Sequence, residues 1–326
     1  MKKIKINYYD FWSTMNPENH YFTKLLRTKY DVEISDNPDY IFYTVFGNKH
    51  HTFDGIRIFC TGENTIPNFN HCDYALAFAN LSYQDRYMRL PSWASHKSVI
   101  AMIPPSPETA LSDTDALKRG FCAIVIGNSK QTDETRMKIW EKLDQYKPVA
   151  SGGRYNNNVG GPVANKITFQ SNYKFSLAAE NTKGDGYITE KILESFASQT
   201  IPIYYGDPSV IRDFNPKAFI NYNDFKSLDE MMEFVKKVDQ DDELYLKMMH
   251  EPAFQPGALE AVSDEKVLAF LSHIFDQPYE QARRRFYSKP YTDTDIYRLK
   301  QRDINDILKA YLQRKIKKIL PKKKGK

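Results

Sequence analysis

The chain has 326 residues, 41% of them apolar and 14% aromatic, with 22 Tyr and 20 Phe. That length is more than one ordinary domain needs and suits two of about 110–200 residues, each able to bury a core. The net charge of +5 sits at one end: residues 309–326 carry nine Lys/Arg and no acid, leaving 37 basic against 41 acidic residues elsewhere, which excludes a basic nucleic-acid-binding face spread over the body.

The aromatic content fits either sugar- and base-stacking surfaces or an aromatic-rich composition with no such role. The start, Met1-Lys-Lys-Ile-Lys-Ile-Asn, lacks the apolar run of a signal peptide, and no stretch of about 18 apolar residues occurs. Cys60, Cys72 and Cys122 are odd in number and have no CxxC spacing, so free thiols in a reducing cytoplasm are expected.

In chain order, residues 5–9 read as a strand and 19–30 as a helix with Tyr21, Phe22, Leu25 and Leu26 on one face. Residues 31–34, 40–45, 57–60 and 74–78 read as strands. Strands alternating with helical segments predict a parallel, doubly wound sheet. The Pro/Ser/Thr-rich stretch 100–112 reads as a linker. The alternation then restarts: strand 121–126, helix 134–146 with Met137, Trp140 and Leu143 on one face, strand 173–178, helix 190–198, strand 201–205. The predicted division is 1–112, 113–280 and a helical basic tail, 281–326. Two α/β halves joined by a linker predict a ligand cleft between them. Residues 303–320 read as an amphipathic helix, apolar on one side and Lys/Arg on the other.

Two cations stand where a helix dipole disfavours them. Lys191 lies in the first turn of the helix opening at Thr189, the expected N-cap, after a polar loop with Gly184 and Gly186. Glu190 suits that position. Arg136 opens the helix after the apolar strand 121–126. Each cation is either a solvated residue beside a local acid or part of an anion site made with helix N–H groups. Glu63, in Phe59-Cys-Thr-Gly-Glu63-Asn64, follows a strand of the first half, where open α/β sheets place ligand-binding groups. It is a candidate general base or a solvated turn residue.

Asp113-Thr-Asp115 and Asp293-Thr-Asp295 fit a three-letter metal motif, but both lie in polar stretches where capping and turns are the expected roles. The seven histidines show no HxxxH pattern, and no metal ligand is assigned. The glycine-rich run 151–161 either closes over a ligand or is a plain mobile loop.

Together these segments resemble the bacterial α1,3/4-fucosyltransferases of glycosyltransferase family 10. The resemblance is carried by Tyr173-Lys-Phe, Glu180-Asn-Thr, Gly186-Tyr-Ile-Thr-Glu-Lys-Ile, Thr200-Ile-Pro-Ile-Tyr-Tyr-Gly-Asp-Pro-Ser-Val and Asp213-Phe-Asn-Pro-Lys, with Thr61-Gly-Glu-Asn and Asp85-Arg-Tyr-Met-Arg-Leu-Pro in the first half. It spans most of residues 1–280. It implies a GT-B type α/β fold, two Rossmann-like domains facing across a cleft, here with a basic amphipathic C-terminal helix added. It also implies an inverting transfer from GDP-fucose, with no cofactor required, to a glycan such as an N-acetyllactosamine-type oligosaccharide or a lipopolysaccharide side chain. By matched motif, Lys191 and Arg136 are the implied diphosphate ligands, Glu190 the ribose ligand, Tyr187 and Asn181 further nucleotide contacts, and Glu63 the base. The segment between Trp93 and Lys118 is shorter than in the relatives, and the seven-residue repeats of some members are absent.

The other readings are a GT-B transferase with a different nucleotide sugar and a catalytically silent glycan- or nucleotide-binding protein. The basic tail predicts peripheral attachment to an anionic membrane at its cytoplasmic face, against a helix packed on the body. Lys191→Ala is expected to spare the fold and cut turnover.

Overall fold

The structure, a computed structural model, describes residues 1–106, 110–127 and 133–285. Its first sheet is built from β1 (Lys3–Tyr9), α1 (Tyr21–Leu26), β2 (Asp31–Ile34), β3 (Tyr40–Tyr43), β4 (Ile56–Cys60), β5 (Tyr74–Ala77) and β6 (Tyr87–Arg89). The strands lie in the order β2-β1-β3-β4-β5-β6 and every pair is parallel. Because side chains alternate along a strand, Ile4, Ile6, Phe42 and Ile58 enter one core while Ile41, Tyr43, Phe59 and Ala75 enter another. Both faces are covered, which is why β3 is aromatic and aliphatic throughout, and why β4 is apolar and buried except for one charged residue, Arg57, which is itself buried.

The second sheet and its helices are α2 (Lys97–Ile100), α3 (Asp113–Leu117), β7 (Gly120–Ile124), α4 (Glu134–Tyr146), β8 (Val149–Ser151), α5 (Lys166–Gln170), β9 (Tyr173–Ala179), α6 (Glu190–Ala197), β10 (Ile201–Tyr205), β11 (Ile220–Asn221), α7 (Leu228–Gln240), α8 (Asp242–Met249) and α9 (Ala258–Ala261). The order is β11-β10-β9-β7-β8, again all parallel. Then α10 (Asp264–Asp276) and α11 (Tyr279–Ala282) close the described chain. The two parallel α/β units are those expected of the fold class.

The cores divide differently from the predicted boundaries at 112 and 280. Trp93, fully buried, and Ala94 pack with Ile192, Phe196 and Phe214 on the second sheet, so the chain has crossed over before the Pro-rich stretch. Val267, Leu271, Ile274 and Phe275 of α10 pack with Ile4, Phe22 and Ile58, so α10 belongs to the first core. Asp276 accepts from Lys29 and Tyr30, and Asp73 accepts from the Arg284 and Arg285 backbone N–H groups, fixing the return. The first crossing is marked by a lone Pro91 and the second by no Gly or Pro between Val262 and Val267, so neither stands out as a linker in the sequence.

The helix expected over 19–30 is shorter. His20 caps it by accepting the Phe22 N–H, and after Leu26 the Thr28 hydroxyl donates back to the Leu25 carbonyl. The tail helix expected over 303–320 lies outside the described residues.

The units are also clamped by side chains. Arg89 donates both ends of its guanidinium to Asp213, at 2.8 and 2.7 Å, and Trp93 Nε1 donates to the same carboxylate at 3.0 Å. A bidentate Arg–carboxylate pair fixes direction as well as distance.

Candidate active site

The site starts from one buried acid. β9 is apolar apart from Lys174 and Ser176 and ends against Glu180, which is fully buried. A carboxylate in such a place needs donors and a counter-charge. Thr189 supplies its N–H at 2.8 Å to Oε1 and its hydroxyl within 2.9 Å of both oxygens. Lys191 Nζ lies 3.0 Å from Oε2 and donates to Thr189 Oγ1 at 2.8 Å. Lys191 is thus compensated inside the protein, at the start of α6. Burial pulls its ammonium down, but Glu180 and Glu190 outweigh that and hold it above its ordinary value. An ammonium has three protons. Two are taken by Glu180 and Thr189, and the third faces Glu190 at 3.5 Å, too long for a strong bond.

Thr189 stands at the N-cap position but makes no side-chain cap, because its hydroxyl is committed to Glu180. This corrects the expectation that it caps the helix in the usual way. Burial pushes the Glu190 carboxyl up, while the Lys191 charge and the Glu190 N–H prevail and hold it below its ordinary range. Glu190 is therefore ionised at neutral pH and partly open to solvent.

Arg136 is buried at the third position of α4, whose N-cap, Asp133, accepts the Thr135 N–H. Its Nη1 donates to Asn181 Oδ1 at 2.6 Å, and the Asp133 N–H donates to the Asn181 carbonyl at 3.0 Å. The Arg136 Nε is buried with no protein acceptor. Burial lowers the guanidinium below its ordinary value, with Glu180 pulling the other way. Tyr187 packs edge-on to Phe78, with ring centroids 5.1 Å apart, and burial raises its hydroxyl to about 12.

From the first unit, Glu63 is exposed just beyond β4, in a turn held by its N–H to Thr61 Oγ1 at 3.0 Å. Its neighbour Asn64 donates across to Thr182 Oγ1 and the Lys183 carbonyl, at 2.9 and 3.1 Å. Asn80 donates to Asp185 and Ser209. Gly186 sits between the units at φ +81°, where a Cβ would lie 2.5 Å from the Phe78 carbonyl oxygen.

These elements enclose a cavity of about 580 Å³. Glu63, Asn181, Tyr187, Glu190 and Lys191 line it, together with Phe11, Trp12, His20, Tyr21, Phe46 and His96. Five of the six residues proposed from sequence thus share one cleft, and Arg136 reaches it through Asn181. Asp113 and Asp115 instead belong to the first turn of α3. Ser112 Oγ accepts the Asp115 N–H, and Asp113 pairs with His250 at 2.7 Å. Asp293 and Asp295 lie outside the described residues. The 151–161 loop is internally braced: Asn158 bonds Ser151 and Val149, and Asn157 bonds Gly153 and Gly161.

Comparison with known proteins covers both units. Residues 6–96 match the model of the α-(1,3)-fucosyltransferase FucT N-terminal domain, and residues 116–252 match that of the glycosyltransferase family 10 (fucosyltransferase) C-terminal domain. A solved α1,3-fucosyltransferase structure with GDP shares 33% identity and a TM-score of 0.73, over 85% of this chain and 91% of that one. The chain belongs to glycosyltransferase family 10.

This family 10 chain is 32% identical to a solved α1,3-fucosyltransferase with GDP-fucose, at a TM-score of 0.72 over 86% of this chain and 93% of that one. It is 36% identical to the α-(1,3)-fucosyltransferase FucT of Helicobacter pylori, over 77% of this chain. It spans 61% of that relative's length. Its two-unit architecture is the GT-B type of its structural neighbours.

Sequence reasoning missed two parts of the site. Glu180 was visible as an acid closing an apolar strand, which requires a buried cation nearby. The aromatic wall of Phe11, Trp12 and Phe46 was not visible, because no spacing links residues 11–12 with 46. The fold alone brings Trp12 and Phe46 to a centroid distance of 6.2 Å.

Proposed function

We propose that this protein transfers L-fucose from GDP-fucose, with inversion, to a GlcNAc or Glc hydroxyl of an N-acetyllactosamine-type glycan, making an α1,3 linkage and, with a suitable acceptor, α1,4. The observation that carries this is the single cavity in which Glu63 of the first unit faces Tyr187, Glu190 and Lys191 of the second.

The Glu63 carboxylate takes the proton of the acceptor hydroxyl as that oxygen attacks the fucose anomeric carbon. The bond from that carbon to the β-phosphate oxygen breaks, and GDP departs with the charge. The remaining Lys191 proton and the start of α6 are preorganised to stabilise that charge, as is Arg136 with its unpartnered Nε. Such donors cost no reorganisation at the moment of reaction. Ionised Glu190 accepts from the ribose hydroxyls, and Asn181 and Tyr187 complete the nucleotide contacts. These fixed cations do the charge stabilisation that a metal supplies in other transferases. Trp12 and Phe46, both about half exposed, offer apolar ring faces to the acceptor sugar.

The tail extends the reading. With nine Lys/Arg in residues 309–326 and no acid, it would hold the enzyme at an anionic cytoplasmic membrane face, near a lipopolysaccharide-type acceptor and its Lewis-type product. Binding of the full chain to anionic vesicles at low salt, and not to neutral ones, is the expected result.

The reaction is tested by nucleotide release from a panel of GDP- and UDP-sugars with N-acetyllactosamine and EDTA. GDP release from GDP-fucose alone, with a fucosylated trisaccharide formed, is expected. Release from a UDP-sugar instead would overturn the donor assignment. Glu63→Gln is expected to lower transfer by about 10²–10⁴-fold while leaving GDP affinity unchanged. Near-normal transfer would remove Glu63 as the base.

A further inference from the structure

We propose that His50, His51 and His71 form a binding site for a late first-row divalent cation of the zinc type, separate from the transfer cleft. One ligand nitrogen from each of the three rings lies within 4.8 Å of the other two. The cluster sits over the sheet face that carries Tyr43, with the His50 ring stacked on Tyr43 at a centroid distance of 4.1 Å. The His50 and His51 rings are 4.0 Å apart, and His71 stands edge-on to His51 at 4.8 Å.

The surroundings are built like the outer shell of a metal centre. Asp10 Oδ2 lies 2.6 Å from His50 Nδ1. A carboxylate only accepts, so Nδ1 carries the proton and Nε2 is left with its lone pair, the tautomer that ligates a metal. Asp10 is itself fixed. It accepts the Lys49 and His50 N–H groups at 2.8 and 3.0 Å, adopts φ +63°, and meets the backbone at Gly47, where a Cβ would lie 2.5 Å from its Oδ1. Arg57 donates to the His51 and His71 carbonyls at 3.1 and 3.3 Å, which ties the two ligand-bearing segments together.

Three imidazoles suit zinc, copper or nickel. Tetrahedral ligands at 2.0–2.1 Å stand about 3.4 Å from one another, so the half-buried rings of His51 and His71 must rotate inward to close the site. The Arg57 charge opposes a cation and Asp10 favours it. An ion here would clip the 44–55 crossover, which carries the cleft residues Thr44 and Phe46, to the segment entering β5. No step of transfer runs through it.

The test uses the full chain made without a polyhistidine tag and stripped with EDTA, titrated calorimetrically with Zn²⁺. One saturable equivalent is expected. His51→Ala and His71→Gln should each weaken it by at least about tenfold. His273→Ala, which removes a histidine paired with Asp85 elsewhere, should leave it unchanged. Circular dichroism and thermal melting establish that each variant is folded, and a fixed Zn²⁺ concentration should raise the melting temperature of the parent by more than that of either site variant. Absence of a saturable step in the parent up to millimolar zinc overturns the proposal, as does equal binding by the parent and both site variants.

Discussion

Lys191→Met removes one charge and keeps the side-chain stem. The expectation from sequence was that losing the Lys191 ammonium spares the fold. The structure places a fully buried carboxylate 3.0 Å away, and the expectation changes. Breaking a buried ion pair from one side costs about 3–5 kcal/mol because the remaining charge is stranded. Here Glu180 keeps the Thr189 N–H and hydroxyl, and each retained bond to a charged acceptor offsets part of that loss. A destabilisation of about 2–3 kcal/mol is therefore expected for the second unit. Adding Glu180→Gln removes the stranded charge and leaves an amide oxygen for Thr189. The double variant should return to within about 1 kcal/mol of the parent. Transfer should stay low in both, by about 10²–10³-fold, because neither carries the ammonium that meets the leaving group. Urea unfolding followed by tryptophan fluorescence, beside GDP release under saturating substrates, measures the two effects separately. A single variant as stable as the parent, or a double variant no more stable than the single, would refute the coupling.

Further outcomes follow from the same coordinates. Gly186→Ala forces a Cβ against the Phe78 carbonyl at φ +81° and should cost about 1–3 kcal/mol while raising KM for the donor; an unchanged urea midpoint would show that the units do not need this contact. Trp12→Ala should lower kcat/KM for the acceptor and leave GDP affinity unchanged; equal loss of both would place Trp12 in the nucleotide site. Burial lowers His20 to about 4 from an ordinary 6.5. A neutral histidine in the fold then binds fewer protons than the unfolded chain between those values, so stability is full above pH 6.5 and falls as pH drops towards 4. Burial also lowers His51 to about 4, so His20→Gln should reduce the slope of the urea midpoint across that window without abolishing it; an unchanged slope would assign the acid loss elsewhere.

The second unit was largely legible in the sequence. α4 and β10 have their predicted limits, because α4 carries a clean helical period with a capping Asp133 and β10 is a short, uninterrupted apolar run. Lys191 and Arg136 were found because a cation at a helix start is locally costly, a signal that needs no tertiary information. The membership of α10 in the first core was not legible. Its apolar face, Val267, Leu271 and Ile274, specifies that it packs but not on which sheet. The His50–His51–His71 cluster was hidden for a similar reason, since a metal-type spacing is a rule about one helix and these rings come from two segments. Thr189 was half legible: its place at the helix start was right, but the hydroxyl's partner depended on a buried acid nine residues earlier.

The return of α10 to the first sheet also sets the order in which this protein can be made. Ile4, Ile6, Tyr40 and Ile58 leave the ribosome early, yet the helix that covers them ends at Asp276 and its anchor, Arg285, comes later still. The second sheet, whose strands end at Asn221, is complete in the nascent chain before the first can be closed. During synthesis the first sheet therefore waits with an open apolar face, a state prone to association. A stop codon or a protease cut shortly before residue 264 would strand the N-terminal half in that state, although the cut falls after every strand of both sheets.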